Sequence, residues 1–156
     1  MAIEIRIINR QSKARPDRKR LGWVIEKTVR KNFPGFSPVE IGLALTDNAL
    51  IRKINRQYRA TDRVTDVIAF PSAALDGPGG HGKIYGGDIF ISVERARSQA
   101  KEYGSSCEDE LTLLLVHGIM HVFGYDHKKK SEAAVMEKKE KETLEWLKGL
   151  KSQKEK

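Results

Sequence analysis

One segment of the sequence is apolar around nearly its whole circumference if it forms a helix. It runs from Glu108 to Phe123 and contains the run Leu-Thr-Leu-Leu-Leu-Val, and Gly124 follows it. A glycine just after such a run is typical of the point where a helix ends. Because a helix without a polar face has to be covered on all sides, we predict that this segment is a buried central helix.

Strands and helices alternate along the rest of the chain. Alternating or β-branched apolar residues predict strands at residues 3–8, 39–45, 67–70 and 84–92. Apolar residues at helical spacing predict helices at residues 16–33, 48–58, 93–103, 108–123 and 131–150. This order predicts an α+β fold, a single domain in which a mixed, roughly four-stranded sheet packs against about five helices. We place the domain at residues 1–147 and predict that residues 148–156 form a basic, frayed tail.

The composition favours a nucleic-acid partner. The 156 residues include 29 Lys and Arg against 21 Asp and Glu, which gives a formal net charge of +8. A chain of this length supports one core, and its charge favours a polyanion, nucleic acid before a membrane surface. The sequence contains neither an apolar run of membrane-spanning length nor the apolar core of a secretory signal, and Cys107 is its only cysteine. We therefore predict a cytoplasmic protein without a membrane segment.

Three histidines fall within eleven residues in a pattern that suits a metal ion. His117 and His121 are four residues apart on the predicted central helix, so both imidazoles project from one face. Gly124 ends the helix and can turn the chain so that His127 returns to that face. Three imidazoles leave one open position on a tetrahedral ion, which is typical of catalytic zinc. We predict one zinc ion at these histidines, with nickel or another imidazole-binding ion as the alternative.

The same spacing occurs in metzincin proteases, whose motif is HExxHxxGxxH. In those enzymes the glutamate after the first histidine is the general base that acts on the metal-bound water. Gly118 occupies that position here. The pattern therefore has the ligands of a metal-dependent peptidase or amide hydrolase without its base, and this activity is retained only as an alternative function.

Arginines cluster at the end of the predicted second helix and just after it. Arg56, Arg59 and Arg63 lie around Tyr58. A planar guanidinium matches the oxygens of a phosphate and can offset the negative charge that develops during phosphodiester cleavage. A solvated arginine face is the alternative interpretation of this segment.

A second basic segment lies near the N-terminus. Residues 10–31 contain nine Lys and Arg against two Asp and Glu, a net charge of +7, and include the consecutive residues Arg18, Lys19 and Arg20. Such a helix can line an RNA groove and bind the phosphate backbone. The alternative is a helix face that is only solvated, opposite an apolar face.

Several segments together resemble the YbeY family of bacterial metal-dependent endoribonucleases, which act in ribosomal RNA maturation. The resemblance runs from Ile54 to His127, and the segments INRQYR, TDVIAFP, GDIFIS and HGIMHVFGYDH carry it in the family's order. The histidine segment is the most specific of them. The resemblance implies that His117, His121 and His127 hold zinc and that Arg59 is a catalytic residue that handles phosphate.

The resemblance also implies a substrate and partners. It implies a single-strand-specific endoribonuclease that acts in rRNA processing, in maturation of the 3′ end of 16S rRNA and in ribosome quality control, with the ribosome or small-subunit assembly factors as partners. A non-enzymatic ribosome-assembly factor with a structural metal is a further alternative.

Site residues can be ranked by the role each is expected to have. Arg59 and His117 are the candidate catalytic residues. Three aspartates are candidates for orienting the metal ligands, namely Asp66, Asp88 and Asp126. The residue that removes the nucleophile's proton is not identified by any of these motifs.

Overall fold

The computed structural model describes residues 3–36, 39–72, 84–123 and 130–154, and its elements follow the predicted order. The strands are β1 (Ile3–Asn9), β2 (Val39–Thr46), β3 (Val67–Pro71) and β4 (Ile84–Ser92). The helices are α1 (Arg18–Asn32), α2 (Asn48–Arg59), α3 (Val93–Tyr103), α4 (Cys107–Val122) and α5 (Lys130–Lys154). The predicted α+β architecture, with a mixed four-stranded sheet and five helices in the described part of the chain, is confirmed.

The sheet has the strand order β1-β2-β4-β3, with β1, β2 and β4 parallel and β3 antiparallel at one edge. Its core face is built from alternate residues of the strands. Leu43 pairs with Ile89 and Leu45 with Ile91, and all four side chains are buried. Since successive residues of a strand point to opposite faces, the residues between them lie on the outer face.

α4 is the buried central helix that the sequence predicts. It packs against α1, α3, α5, β3 and β4. Ser106 caps its start, because the hydroxyl oxygen accepts a hydrogen bond of 3.0 Å from the backbone N–H of Asp109. Several of its side chains are fully buried, among them Leu115, Val116, Ile119 and Met120. The helix that carries two of the predicted ligands is therefore also the centre of the core.

α4 approaches β4 closely at Gly118. A Cβ atom at this position would lie 2.9 Å from Cγ2 of Ile89 and 3.4 Å from its Cδ1. Ile89 is fully buried, so it cannot move aside without disturbing the core. Packing between helix and sheet therefore requires a glycine immediately after His117.

α5 is the longest helix and extends beyond its predicted end. The prediction ends it at about Leu150, whereas it continues to Lys154, so the segment predicted as a frayed tail is helical from residue 148 to 154. Nζ of Lys151, within this extension, lies 3.7 Å from Oε1 of Glu108 at the start of α4. Hydropathy does not reveal such a polar contact between helices. The division into a domain of residues 1–147 and a tail stays a prediction.

Charged residues occur along the whole length of α5. Within the described ranges, none of the helices is both long enough and apolar enough to cross a membrane.

Replacing Gly118 by alanine tests the close approach of α4 to β4. Overpacking of a core costs about 1–3 kcal/mol, and the higher helix propensity of alanine offsets about 1 kcal/mol of this. We expect Gly118→Ala to lower the free energy of unfolding in urea by about 1 kcal/mol.

The matched control is Gly22 in the middle of α1. Among the described residues, no heavy atom beyond its own stretch of helix lies within 4 Å of a Cβ added there. Gly22→Ala should therefore raise the free energy of unfolding by roughly 0.5–1 kcal/mol. Equal changes in the two variants would contradict the close approach.

Candidate active site

A pocket of about 450 Å³ opens beside the edge strand β3. Three elements line it, namely the end of α2, the nearby strand β3 and, distant from both in sequence, the second half of α4. The lining includes Asn55, Arg59, Ala69, His117, Gly118 and His121. The structure therefore brings both candidate catalytic residues, Arg59 and His117, to one pocket.

The Nε2 atoms of the two histidines of α4 lie close together. His117 Nε2 and His121 Nε2 are 3.0 Å apart, and the ring centroids are 4.6 Å apart. Two imidazoles on one tetrahedral zinc ion, each with a Zn–N bond of about 2.0–2.1 Å, have their nitrogens about 3.3 Å apart. The pair therefore has nearly the separation that a shared ion requires.

In the part of the chain that the structure describes, the two imidazoles of His117 and His121 are donors that fit zinc. Imidazole nitrogens are ligands that zinc prefers. His127, the predicted third ligand, lies outside the described residues, as does Asp126. Within the described ranges, no group of three His, Cys, Asp or Glu side chains is arranged to hold a metal ion. Two of the three predicted ligands are placed together, and the zinc site stays a prediction.

A carboxylate that the sequence analysis did not single out contacts the first histidine from α5. Oε1 of Glu140 lies 2.5 Å from Nδ1 of His117, on the side of the ring away from Nε2. The Glu140 side chain is 16% exposed, while Glu137, Glu142 and Glu145 of the same helix are exposed. The only sequence signal for Glu140 was that it is a glutamate at a core-facing position of α5.

Arg59 reaches the pocket from the opposite side. It is the last residue of α2, and Nδ2 of Asn55 stabilises this helix end by donating a hydrogen bond of 3.0 Å to a carbonyl of the following loop. The Arg59 guanidinium donates a hydrogen bond of 2.7 Å to the backbone carbonyl of Ala69 and lies 5.4 Å from the centre of the Phe70 ring. These two contacts with β3 fix the guanidinium at the rim of the pocket.

This arrangement can be compared with known proteins. A family model described as Endoribonuclease YbeY matches residues 6–148 of the chain. The chain belongs to the YbeY endoribonuclease family. Its members are nucleases by name, a class of hydrolase, so the predicted endoribonuclease class is confirmed at the level of the family.

Individual YbeY relatives cover most of the chain. The Endoribonuclease YbeY of Alkaliphilus metalliredigens is 40% identical over 149 residues, which are 92% of this chain and 95% of that protein. The Endoribonuclease YbeY of Agrobacterium fabrum is 46% identical over 120 residues, which are 77% of this chain and 70% of that protein. A solution structure of a Thermotoga maritima protein matches with a TM-score of 0.64 and 28% identity, over 96% of this chain and 93% of that one.

Asp66, in the TDVIAFP segment that resembles the YbeY family, holds the start of β3. Its carboxylate accepts hydrogen bonds from the backbone N–H of Val67 (2.7 Å) and from Nε2 of Gln99 in α3 (3.1 Å). The Thr65 hydroxyl lies 3.5 Å from the same carboxylate, and no hydrogen bond between Asp66 and an imidazole is observed among the described residues.

Asp88, in the GDIFIS segment, lies on the face of the sheet opposite α4. The hydroxyl of Tyr85 donates to its carboxylate, and Nη2 of Arg6 lies 3.7 Å from its Oδ1. The neighbouring Ile89 contacts α4 at Gly118, and alternation along the strand directs Asp88 the other way. The structure therefore separates Asp88 from the histidines, contrary to its predicted role.

The basic residues predicted to bind RNA occupy two separate places. Arg56 and Arg63 are exposed beside the pocket, on α2 and on the loop after it. Arg18 and Lys19 are exposed at the start of α1. Arg20 packs near the start of α4, and Glu108 there lies nine residues before His117, about 14 Å along the helix axis. The basic start of α1 is therefore at the far end of α4 from the candidate site.

The Arg20 side chain is largely buried, unlike those of Arg18 and Lys19. Its guanidinium pairs with Glu108 and lies 5.3 Å from the centre of the Trp23 ring, and its side chain is only 15% exposed. The Arg20 side chain thus joins α1 to α4, and its binding of RNA stays a prediction.

The buried Glu110 of α4 makes stability depend on pH. Burial, and then the nearby Asp66 carboxylate, raise the pKa of Glu110 above its ordinary value of 4.5. Folding therefore takes up a proton between the unfolded and the folded pKa, and the free energy of unfolding falls as the pH rises through that window. We expect Glu110→Gln to lack this fall and to melt a few degrees above the wild type at about pH 8.

Thermal unfolding at about pH 4 and pH 8 is the measurement. Glu102→Gln, at an exposed position of α3, is the matched control and should follow the wild type. A Glu110→Gln protein that loses as much stability between the two pH values as the wild type would contradict this account.

Proposed function

We propose that the chain is a zinc-dependent endoribonuclease that cuts single-stranded RNA. The observation that carries the proposal is that Arg59 and the converging pair His117 and His121 line one pocket. A metal ligand set and a phosphate-binding group at one site suit phosphodiester cleavage. Membership of the YbeY endoribonuclease family supports the same class of reaction.

In this proposal His117, His121 and His127 hold the metal. A zinc ion at this position supplies a Lewis acid for a phosphoryl oxygen and lowers the pKa of a bound water. The 3.0 Å separation of the two Nε2 atoms supports this assignment for the first two ligands.

Arg59 is proposed to bind the phosphate that is cut. A guanidinium has five N–H donors in a fixed plane, and the bond to the Ala69 carbonyl engages one of them. The guanidinium also lies over the Phe70 ring, 5.4 Å from its centre, which further limits its movement. Arg59 would then donate hydrogen bonds to phosphate oxygens and stabilise the negative charge that develops on them.

The surroundings of the pocket favour a single strand. Tyr58 is 65% exposed next to Arg59, and its ring centroid lies 5.6 Å from that of Phe70. Exposed aromatic rings stack with unpaired bases, and neighbouring arginines track the backbone. Arg56 on α2 and Arg63 on the loop after it are exposed, in a protein of net charge +8.

The biological role is proposed from the family resemblance. We propose that the substrate is rRNA, that the enzyme acts in maturation of the 3′ end of 16S rRNA and in ribosome quality control, and that its partners are the ribosome or small-subunit assembly factors. The single cysteine and the net charge of +8 support work on RNA in the cytoplasm.

The peptidase alternative has little support from this geometry. A glutamate at position 118 would place its Cβ within 2.9 Å of Ile89, so the metzincin base has no space at its usual position. The third possibility, an assembly factor with a structural metal, is separated from the proposal by the experiment below.

The test is a cleavage assay on single-stranded rRNA fragments with metal content measured in each sample. We expect Arg59→Glu to keep its zinc and to cut about 10²–10³-fold more slowly, because a group that stabilises developing charge is lost. His121→Ala should lose both zinc and cleavage. Lys53→Glu makes the same charge change on an exposed position of α2 and is the matched control. Cleavage by Arg59→Glu at the wild-type rate would refute the assigned role of Arg59.

Chelation of the wild type distinguishes a catalytic from a structural metal. Loss of cleavage with an unchanged circular dichroism spectrum supports the proposal. Loss of RNA binding only together with unfolding would instead support an assembly factor. Cleavage of casein by the zinc-loaded chain would support the peptidase.

Tyr58 gives a separate test of single-strand recognition. Stacking on one base contributes about 1–3 kcal/mol, so Tyr58→Ala should weaken binding of single-stranded RNA by roughly tenfold or more. Tyr58→Phe retains the ring and should bind as the wild type does, and binding of duplex RNA should change in neither variant. Fluorescence anisotropy with labelled oligonucleotides measures all three affinities. Equal weakening in the Ala and Phe variants would exclude stacking as the cause.

A further inference from the structure

Glu140 is a carboxylate in the core-facing stripe of α5. Met136, Thr143 and Leu147 lie four residues before it and three and seven after it, which places all four on one face of the helix. The other three are essentially fully buried. Carboxylates at such positions are paired with a polar partner, because an unpaired one is costly to bury.

The observed partner is the outer nitrogen of His117. Oε1 of Glu140 lies 2.5 Å from Nδ1, while Nε2 of the same ring lies 3.0 Å from Nε2 of His121. A carboxylate only accepts hydrogen bonds, so Nδ1 carries the proton. In a neutral imidazole Nε2 is then the unprotonated nitrogen, and it lies on the pocket side.

α5 holds Glu140 in place through a contact with α1. Nδ2 of Asn32 donates hydrogen bonds of 3.0 Å to Oγ1 of Thr143 and to the carbonyl of Thr28. Thr143 follows Glu140 by one turn, so this bond fixes the part of α5 that carries the carboxylate. The orientation of the imidazole therefore depends on three helices: α4 carries the ring, α5 carries the acceptor and α1 anchors α5.

We propose that Glu140 is a positioning residue, which holds His117 in the tautomer with a protonated Nδ1 and directs its Nε2 lone pair to the position shared with His121. This rests on the proposed function in one respect, namely that the ion bound at that position is zinc. The C-terminal helix, which carries none of the motifs that resemble the YbeY family, is thereby part of the metal site.

The variant that tests the proposal is Glu140→Met. Methionine has nearly the volume of glutamate, favours helices and suits a core-facing stripe, but it provides no acceptor comparable to a carboxylate. Glu140→Gln is the conservative variant, since its amide oxygen still accepts a hydrogen bond from Nδ1. Glu142→Ala, at an exposed position of the same helix, is the matched control.

The first measurement is the tautomer of His117 in the metal-free full-length chain. Long-range ¹H–¹⁵N NMR spectra at about pH 8.5, above the ordinary titration range of histidine, show which ring nitrogen carries the proton. We expect protonated Nδ1 in the wild type, Glu140→Gln and Glu142→Ala, and loss of this preference in Glu140→Met. Glu140→Ala replaces the methionine variant if that protein does not fold. A protonated Nδ1 that persists in Glu140→Met, or in the Glu140→Ala variant that replaces it, would overturn the proposal.

The second measurement is zinc affinity, by competition with a chromogenic chelator. Loss of an outer partner of a ligating histidine weakens metal binding by about 10- to 100-fold, which we expect for Glu140→Met, with a smaller loss for Glu140→Gln and none for Glu142→Ala. Equal affinity in Glu140→Met and the wild type would overturn the role of Glu140. A wild type that binds no zinc would refute the proposed function instead, and the NMR measurement would still decide the role of Glu140.

Discussion

The contact between Gly118 of α4 and Ile89 of β4 is the constraint on which the candidate site depends. It sets the distance between the central helix and the sheet, and the adjacent His117 and the nearby His121 take their positions from it. Arg59, in contrast, is fixed to β3 through the Ala69 carbonyl. Any side chain that pushed α4 away from the sheet would therefore separate the histidines from the arginine. The same contact between helix and sheet is therefore needed both for the packing of the core and for the geometry of the pocket.

The edge position of β3 explains why the pocket forms there. β3 bonds to β4 through alternate residues: the carbonyl of Asp66 accepts from Ser92 N at 2.9 Å, and Ser72 N donates to the carbonyl of Gly86 at 3.0 Å. The backbone groups of the other alternate residues of β3, such as Ala69, point to the open edge of the sheet. In a central strand a neighbouring strand would engage those groups. The edge thus provides a carbonyl that anchors Arg59 in the same pocket as the two histidines.

Local periodicity was sufficient to predict the elements and the pairing of the helix histidines, because both depend on residues within one or two turns. The face of Asp88 could also have been predicted, since Ile89 and Ile91 are the apolar neighbours that mark the core side of β4. Glu140 could not be assigned in this way. It contacts His117, which lies 23 residues earlier in the sequence. Only the packing of α5 against α4 decides which of the glutamates of α5 faces the imidazole ring. For the same reason the pairing of Arg20 with Glu108, between two different helices, had no sequence signal.

The ligand pattern shared with metzincins does not require a shared mechanism. The spacing of the histidines follows from helix geometry, which is the same whatever stands at the second position of the motif. In this chain the side chain of Ile89 leaves space only for a glycine at that position. The missing carboxylate is not restored by α5, because Glu140 contacts Nδ1, the nitrogen that points away from the shared Nε2 position. A carboxylate at Nδ1 lies on the side of the ring away from Nε2, so Glu140 does not take the place of the glutamate that acts as general base in metzincins.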